Sequence, residues 1–233
     1  MNYFLDSEFS EQQPTLSDQE SRHALRSLRL KVGDELMVGD GNGTRYRCSL
    51  ARIDENLAGL EIIEIIREKS PKNRLTVAIA PTKNPSRFEY FLEKATEMGV
   101  WEIIPLKTQN SERPRINEKR SLKIVRAASK QSQRFYIPEI KDLIRLNDLD
   151  ITAYDHHLIA HCDANFDRRE LAHVISKIKG KIIMLIGPEG DFSSGEIKEM
   201  NDLGFKGVSL GKNRLRTETA GVFAAAIYSA LMN

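Results

Sequence analysis

The sequence predicts an α/β protein: a mostly parallel sheet covered by helices on both faces, preceded by a small β-rich, barrel-like module. Three observations carry this. From Arg74 onward, short apolar runs alternate with amphipathic helical patterns, as β–α–β units require. Before residue 70 the apolar runs are joined by tight-turn signals instead of long helices. Near the C-terminus, two glycine-containing segments each follow an apolar run and each lead into a helix. They are Ile186-Gly187-Pro188-Glu189-Gly190-Asp191-Phe192-Ser193 and Leu210-Gly211-Lys212-Asn213-Arg214-Leu215-Arg216-Thr217-Glu218-Thr219-Ala220. Open α/β sheets hold ligands where strand ends meet glycine turns and helix N-termini, so the two segments predict one shared pocket.

The elements follow in order. Leu25, Leu28 and Leu30 lie on roughly one face of a helix over Ser21 to Leu30, which Gly33 is expected to end. Glu35 to Val38, Arg45 to Ile53 and Leu60 to Ile66 read as strands. Between the first two, Asp40-Gly41-Asn42-Gly43 supplies the positive φ of a tight hairpin. The polar segment Glu68 to Asn73, with Pro71, reads as a linker and sets a boundary between domains 1–70 and 71–233. Leu75 to Ala80 is a strand, and Ser86 to Met98 a helix with Phe88, Phe91, Leu92 and Ala95 at helical spacing. Trp101 to Leu106 is a strand, followed by a basic helix from about Asn117 to Arg134. His157 to Cys162 is a strand and Arg168 to Lys179 a helix. Lys181 to Ile186 and Phe205 to Leu210 are the strands that carry the glycine turns. Ser193-Ser194-Gly195-Glu196 has capping-box spacing and starts a helix ending at Gly204. Thr219 to Met232 is an apolar helix of small residues, suited to a core or a subunit interface.

Composition excludes several classes. The chain has 233 residues, 29% of them charged, and no apolar run approaches the roughly 18 residues of a membrane span. The N-terminus lacks the pattern of a signal peptide. Cys48 and Cys162, the two cysteines, make no disulfide framework or zinc pattern, and the expectation is reduced thiols in the cytoplasm. The net charge of +2 is unevenly placed: Lys107, Arg113, Arg115, Lys119, Arg120, Lys123, Arg126, Lys130 and Arg134 are opposed by only Glu112 and Glu118. Such a stretch is either a solvated helix face or a surface for nucleic-acid phosphates.

Neither glycine turn matches a phosphate loop or a dinucleotide fingerprint. Glu189 instead places a carboxylate beside backbone amides, which suits a ligand with hydrogen-bonding edges and a cationic centre. Thr217 is expected to cap the last helix, with Glu218 at its positive end. Arg214 and Arg216 stand alongside. His157 and His161 would share a strand face but lie too far apart to chelate one ion, so no metal is expected.

These segments resemble the ribosomal RNA small-subunit methyltransferase E family of the SPOUT methyltransferases. Further similarity lies in Arg22 to Asp34, Glu93 to Val100 and Ala128 to Ser132. The resemblance implies a PUA-like N-terminal barrel, a trefoil-knotted methyltransferase domain and a homodimer. It also implies transfer of a methyl group from S-adenosylmethionine to N3 of a uridine in 16S ribosomal RNA of the small subunit. On that likeness Ile186, Gly187, Pro188, Glu189 and Gly190, with Leu210, Gly211, Leu215 and Thr217, would line the cofactor pocket. A valine at Gly187 is then expected to abolish cofactor binding by filling the turn while leaving the fold mostly intact. Arg216 is the candidate for stabilising charge on the uracil, and Glu218 a candidate base. Arg87, Lys119, Lys123, Arg126, Lys130 and Arg134 are candidates for RNA contact. Three residues depart from the family's usual pattern: Asp191 and Gln133 stand where glycine is common, and Lys130 where glutamate is. The alternatives are action on another RNA, such as transfer RNA, and a non-catalytic RNA-binding assembly factor.

Overall fold

The computed structural model describes residues 1–112 and 115–232, so Arg113 of the basic stretch lies outside the described residues. The chain forms two compact units. One comprises Met1–Ser70 together with Arg126–Ile137; the other comprises Pro71–Val125 and Pro138–Asn233.

The first unit is a four-stranded sheet in the order β1-β2-β3-β4. Here β1 is Asn2–Leu5, β2 Glu35–Gly39, β3 Thr44–Asp54 and β4 Leu57–Arg67. β1 runs parallel to β2, while β2–β3 and β3–β4 are antiparallel. The alternation of β3, with Tyr46, Cys48 and Leu50 turned inward, packs against Phe4, Phe9, Leu36 and Val38. The β2–β3 turn is built as its residues predict. Gly41 and Gly43 take φ of +75° and +99°. The Asp40 Oδ1 accepts from the Asn42 and Thr44 amides at 2.7 and 2.9 Å. The expected helix at Ser21 to Leu30 is earlier and shorter. α1 spans Asp18–Arg22 and loosens into one π turn, His23–Ser27. Arg29, at φ +55°, carries the chain out of the helix before Gly33 is reached.

Arg126–Ile137 lies on the far side of the sequence boundary drawn at residue 70, yet its contacts are with this sheet. The Gly43 amide donates to the Phe135 carbonyl (2.9 Å) and the Ile137 amide to that of Gly41 (3.0 Å). The Arg45 guanidinium stacks 3.5 Å from the centre of the Phe135 ring. Lys130 Nζ reaches Glu20 Oε2 at 2.7 Å, beneath the Phe4 ring. These partners are 80 or more residues away in sequence, beyond any local pattern.

The second unit is an eight-stranded sheet, every recorded pairing parallel, in the order β10-β12-β9-β11-β5-β6-β7, with β8 also on β6. The elements are β5 Arg74–Ile79, α2 Pro85–Glu97, β6 Glu102–Lys107, α3 Glu118–Gln131 (from Arg126 on counted with the first unit), β7 Glu139–Ile140 and β8 Ile144–Arg145. They continue as β9 His156–Ala160, β10 Arg169–Glu170, α4 Leu171–Ile175, β11 Lys181–Ile186, α5 Ser194–Asp202, β12 Lys206–Ser209 and α6 Thr217–Met232. The central strands β5 and β11 are buried almost throughout, which is why they read as continuous apolar runs. The helix expected over Arg168 to Lys179 is only five residues long, because Arg169–Glu170 stays extended and pairs with β12. The capping box of α5 forms as expected, Ser193 and Glu196 exchanging side chain-to-amide bonds. After the edge region at β12, the chain returns across the sheet so that α6 packs on α2 and β5. A trefoil-knotted chain needs such a return.

That packing depends on small residues. Ala220, Gly221, Ala224 and Ala225 of α6 are buried, and a Cβ on Gly221 would lie 2.5 Å from the Phe91 ring and 2.9 Å from Ile79 Cδ1. Helix α6 therefore approaches α2 and β5 more closely than any larger residue permits. Gly221→Leu is expected to destabilise the protein by about 3 kcal/mol, read from the midpoint of urea denaturation. A shift below a tenth of that value would show that the contact relaxes freely.

Candidate active site

Three neighbouring parallel strands, β12, β9 and β11, end at the same edge, and a cleft of about 300 Å³ opens there. Its walls come from three loops: Ala160–Cys162 after β9, Ile186–Glu189 after β11, and Ser209–Thr217 between β12 and α6. The local sequence explains the shape. Gly211 follows β12 at φ +118° with open space where a Cβ would project, so the chain can turn sharply there. One hydrogen bond locks two of the loops together: buried Thr217 Oγ1 donates to the Gly187 carbonyl at 3.0 Å. The Thr217 hydroxyl thus bridges the two glycine segments and does not serve the helix N-terminus as the sequence suggested.

Eight of the nine residues expected at a cofactor line this cleft. They are Ile186, Gly187, Pro188 and Glu189 from one segment, and Leu210, Gly211, Leu215 and Thr217 from the other. The ninth, Gly190, lies just outside, against Asn110. Gly187 does not leave a space that a side chain would fill from the cleft. A Cβ there would meet the Phe192 ring at 3.1 Å and the Phe192 amide nitrogen at 3.2 Å, so valine would strain the core beneath the loop. Glu189 is exposed, and its Oε1 accepts from the Lys83 amide at 3.3 Å.

The two catalytic candidates separate. Arg216 is exposed and lines the cleft, as does Arg214. Glu218 is buried, 7% exposed, and outside the cleft lining. Its Oε1 lies 3.8 Å from Arg87 Nε of α2, and its Oε2 has no hydrogen-bond partner among the described residues. Arg216 and Glu218 are two positions apart at the start of α6, with Thr217 between them, and that spacing turns their side chains in different directions. Among the basic candidates, Lys119, Lys123 and Arg126 are exposed on α3. Lys130 is turned inward onto Glu20, and Arg134 and Arg87 are half-buried.

His161, Cys162 and Arg168 also line the cleft, and the sequence reading did not place them there; Asp191 and Asn213, within the two glycine segments, line it too without having been named as cofactor contacts. His161 and Cys162 were legible only as the end of an apolar strand. Asp191 sits at φ +64°, the left-handed region where glycine is most at ease and aspartate tolerable. Its side chain gives a reason for the departure from glycine. Oδ2 accepts from the Cys162 amide at 2.7 Å and Oδ1 from the Phe192 amide at 2.8 Å, tying the β9 loop to the β11 loop. Burial, and then the neighbouring Arg168, hold the His161 imidazole below its ordinary value. Among the described residues no group of His, Cys, Asp and Glu could hold a metal ion.

The fold and cleft together define an RNA methyltransferase. The RNA methyltransferase domain family matches residues 68–229, and the RNA methyltransferase PUA domain family matches residues 16–63. The "Ribosomal RNA small subunit methyltransferase E" of Aquifex aeolicus is 32% identical over 94% of this chain and 93% of its own length. A probable rRNA-methyltransferase from Porphyromonas gingivalis superposes with a TM-score of 0.90 and 35% identity, over all of this chain and 98% of that one. The ribosomal RNA small subunit methyltransferase E of Neisseria gonorrhoeae, solved bound to S-adenosyl methionine, gives a TM-score of 0.80 at 27% identity. It covers 99% of this chain and 98% of that one. The chain belongs to the ribosomal RNA small subunit methyltransferase E family.

The Asp191 tether is testable. Asp191→Ala loses both side-chain bonds and keeps an unfavourable φ, and is expected to cost about 2 kcal/mol in urea denaturation. Asp191→Gly loses the same bonds without the backbone strain, and should cost about 1 kcal/mol less than alanine. Equal costs for the two would remove the strain argument.

Proposed function

We propose that this protein transfers a methyl group from S-adenosylmethionine to N3 of a uridine in 16S ribosomal RNA, acting on the small subunit in the cytoplasm. The observation that carries the reading is the cleft at the ends of β9, β11 and β12, closed by the bond from Thr217 to Gly187. Its residues fit the donor's chemistry. Ile186, Val208, Leu210 and Leu215 offer apolar walls for an adenine, the glycine turns offer backbone edges, and Glu189 is the acid in the lining best exposed to a cation. When bound, the donor supplies an electrophilic methyl on a sulfonium.

The protein's own part is positioning and charge. Uridine N3 lies on the Watson–Crick edge, so the base must be unpaired to enter the cleft. The N3 proton passes to water, and while that deprotonation runs ahead of N–C bond formation negative charge builds on the uracil oxygens; the methylated base is neutral again. Arg216, exposed in the cleft wall, is placed to stabilise that charge. Glu218, buried outside the cleft lining, faces Arg87 and holds that cation. Lys119, Lys123 and Arg126 offer phosphates an exposed cationic row, which excludes Lys130. The protein works as a homodimer, an arrangement supported by Tyr90, Phe223 and Leu231, which stay exposed on the packed helices α2 and α6. Sedimentation velocity reads that state directly.

Mass-spectrometric mapping of 16S ribosomal RNA with and without the gene tests the reaction: one N3-methyluridine should vanish and return on adding the purified protein. Arg216→Ala is expected to slow that return by about 100-fold. Unchanged methylation in cells lacking the gene removes the proposal. Charge reversal at Lys119 and Lys123 should weaken RNA binding and flatten its dependence on salt by about two counter-ions. An unchanged slope would take α3 out of the RNA surface.

A further inference from the structure

His161 follows β9 and is 4% exposed, yet neither Nδ1 nor Nε2 has a hydrogen-bond partner among the described residues. The residue is among those lining the cleft, beside Cys162 and Arg168. Packing holds the ring in place. Phe166 meets it edge-on, centroids 6.0 Å apart at 85°, and Gly207 of β12 leaves room for it, since a Cβ there would lie 2.9 Å from Nε2. A buried polar group without a partner is destabilising, so a ligand, an ion or an ordered water is expected to satisfy it.

The charged groups around the ring are Arg168, Asp163 and Asp191. Arg168 Nη1 donates to the His161 carbonyl at 2.9 Å. Burial and Arg168 outweigh the two aspartate carboxylates and the Asp163 backbone, which stands near the ring but outside hydrogen-bonding geometry, so the imidazole stays neutral, with one N–H and one bare nitrogen. A hydroxyl can accept from the first or donate to the second, and so suits either tautomer. In S-adenosylmethionine only the ribose carries hydroxyls. Its carboxylate only accepts and its ammonium only donates, and the same cleft offers those ends Arg214, Arg216 and Glu189.

We propose that His161 hydrogen-bonds a ribose hydroxyl of the methyl donor, an assignment that rests on the function proposed above. Titration calorimetry of the full chain tests it with two probes, S-adenosylmethionine and 5′-methylthioadenosine, which keeps the ribose and lacks the amino-acid end. His161→Leu is expected to weaken both roughly five- to tenfold. His161→Gln, which retains a donor and an acceptor, should recover most of the loss. In the unsubstituted protein, the nitrogen-15 shifts of the His161 imidazole should move when either probe is added. This reading holds even where His161→Leu fails to fold. Equal affinities for His161→Leu and the parent, or imidazole shifts that stay still, overturn the inference. A loss confined to S-adenosylmethionine overturns the ribose assignment. If the unsubstituted protein binds neither probe, the proposed donor falls, and this inference with it.

Discussion

The bond from Thr217 Oγ1 to the Gly187 carbonyl joins two loops that the chain visits 30 residues apart. Gly187 lies buried where β11 ends, so its carbonyl has left the sheet ladder and is shielded from water. A buried carbonyl in that position needs a partner, and the net gain of about 1 kcal/mol understates the cost of leaving it without one. Because the partner is the first residue of α6, the same bond sets where that helix begins. Four residues on, Gly221 meets Phe91 and Ile79, so the start of the helix and its closest packing are fixed within about one turn. The cleft walls, the direction of Arg216 and the burial of Glu218 follow from that placement.

The departures from the family's usual residues find physical accounts. Asp191 and Gln133 take φ of +64° and +50°, the region in which glycine is unstrained. Asp191 offsets the strain with two backbone-amide bonds across the cleft loops. Gln133 is held by its carbonyl, which accepts from the Arg45 guanidinium while that group stacks on Phe135. Lys130 finds Glu20 opposite it, so the lysine there completes an ion pair with one partly shielded carboxylate. A pair of that kind fixes geometry more than it adds stability.

Much of this was legible locally. The alternation of β3, the apolar runs of β5 and β11, the helical spacing of α2 and the capping box of α5 arise from residues within a few positions of one another. The glycine turns were legible for the same reason, and eight of nine expected residues meet in one cleft. The short strands β1, β7, β8 and β10 carry too few residues for any period, and they form because a neighbouring strand offers its edge. Basic character along α3 was evident, whereas which of its cations face water depends on Glu20, Glu89 and Phe4, all distant in sequence.

The sequence by itself determined the fold class, the two glycine turns and the residue types that can form a ligand cleft, because periodicity and turn chemistry act over a handful of residues. Only the tertiary structure decided that Arg126–Ile137 packs with the first unit, that Thr217 bridges the loops, that Glu218 turns away from the cleft, and that His161 enters its wall. Each of these depends on a partner 30 to 131 residues away, or on which side of a strand or helix finds room. Such choices are settled by close packing and by the need to pair every buried polar group, and neither is visible until the chain has folded.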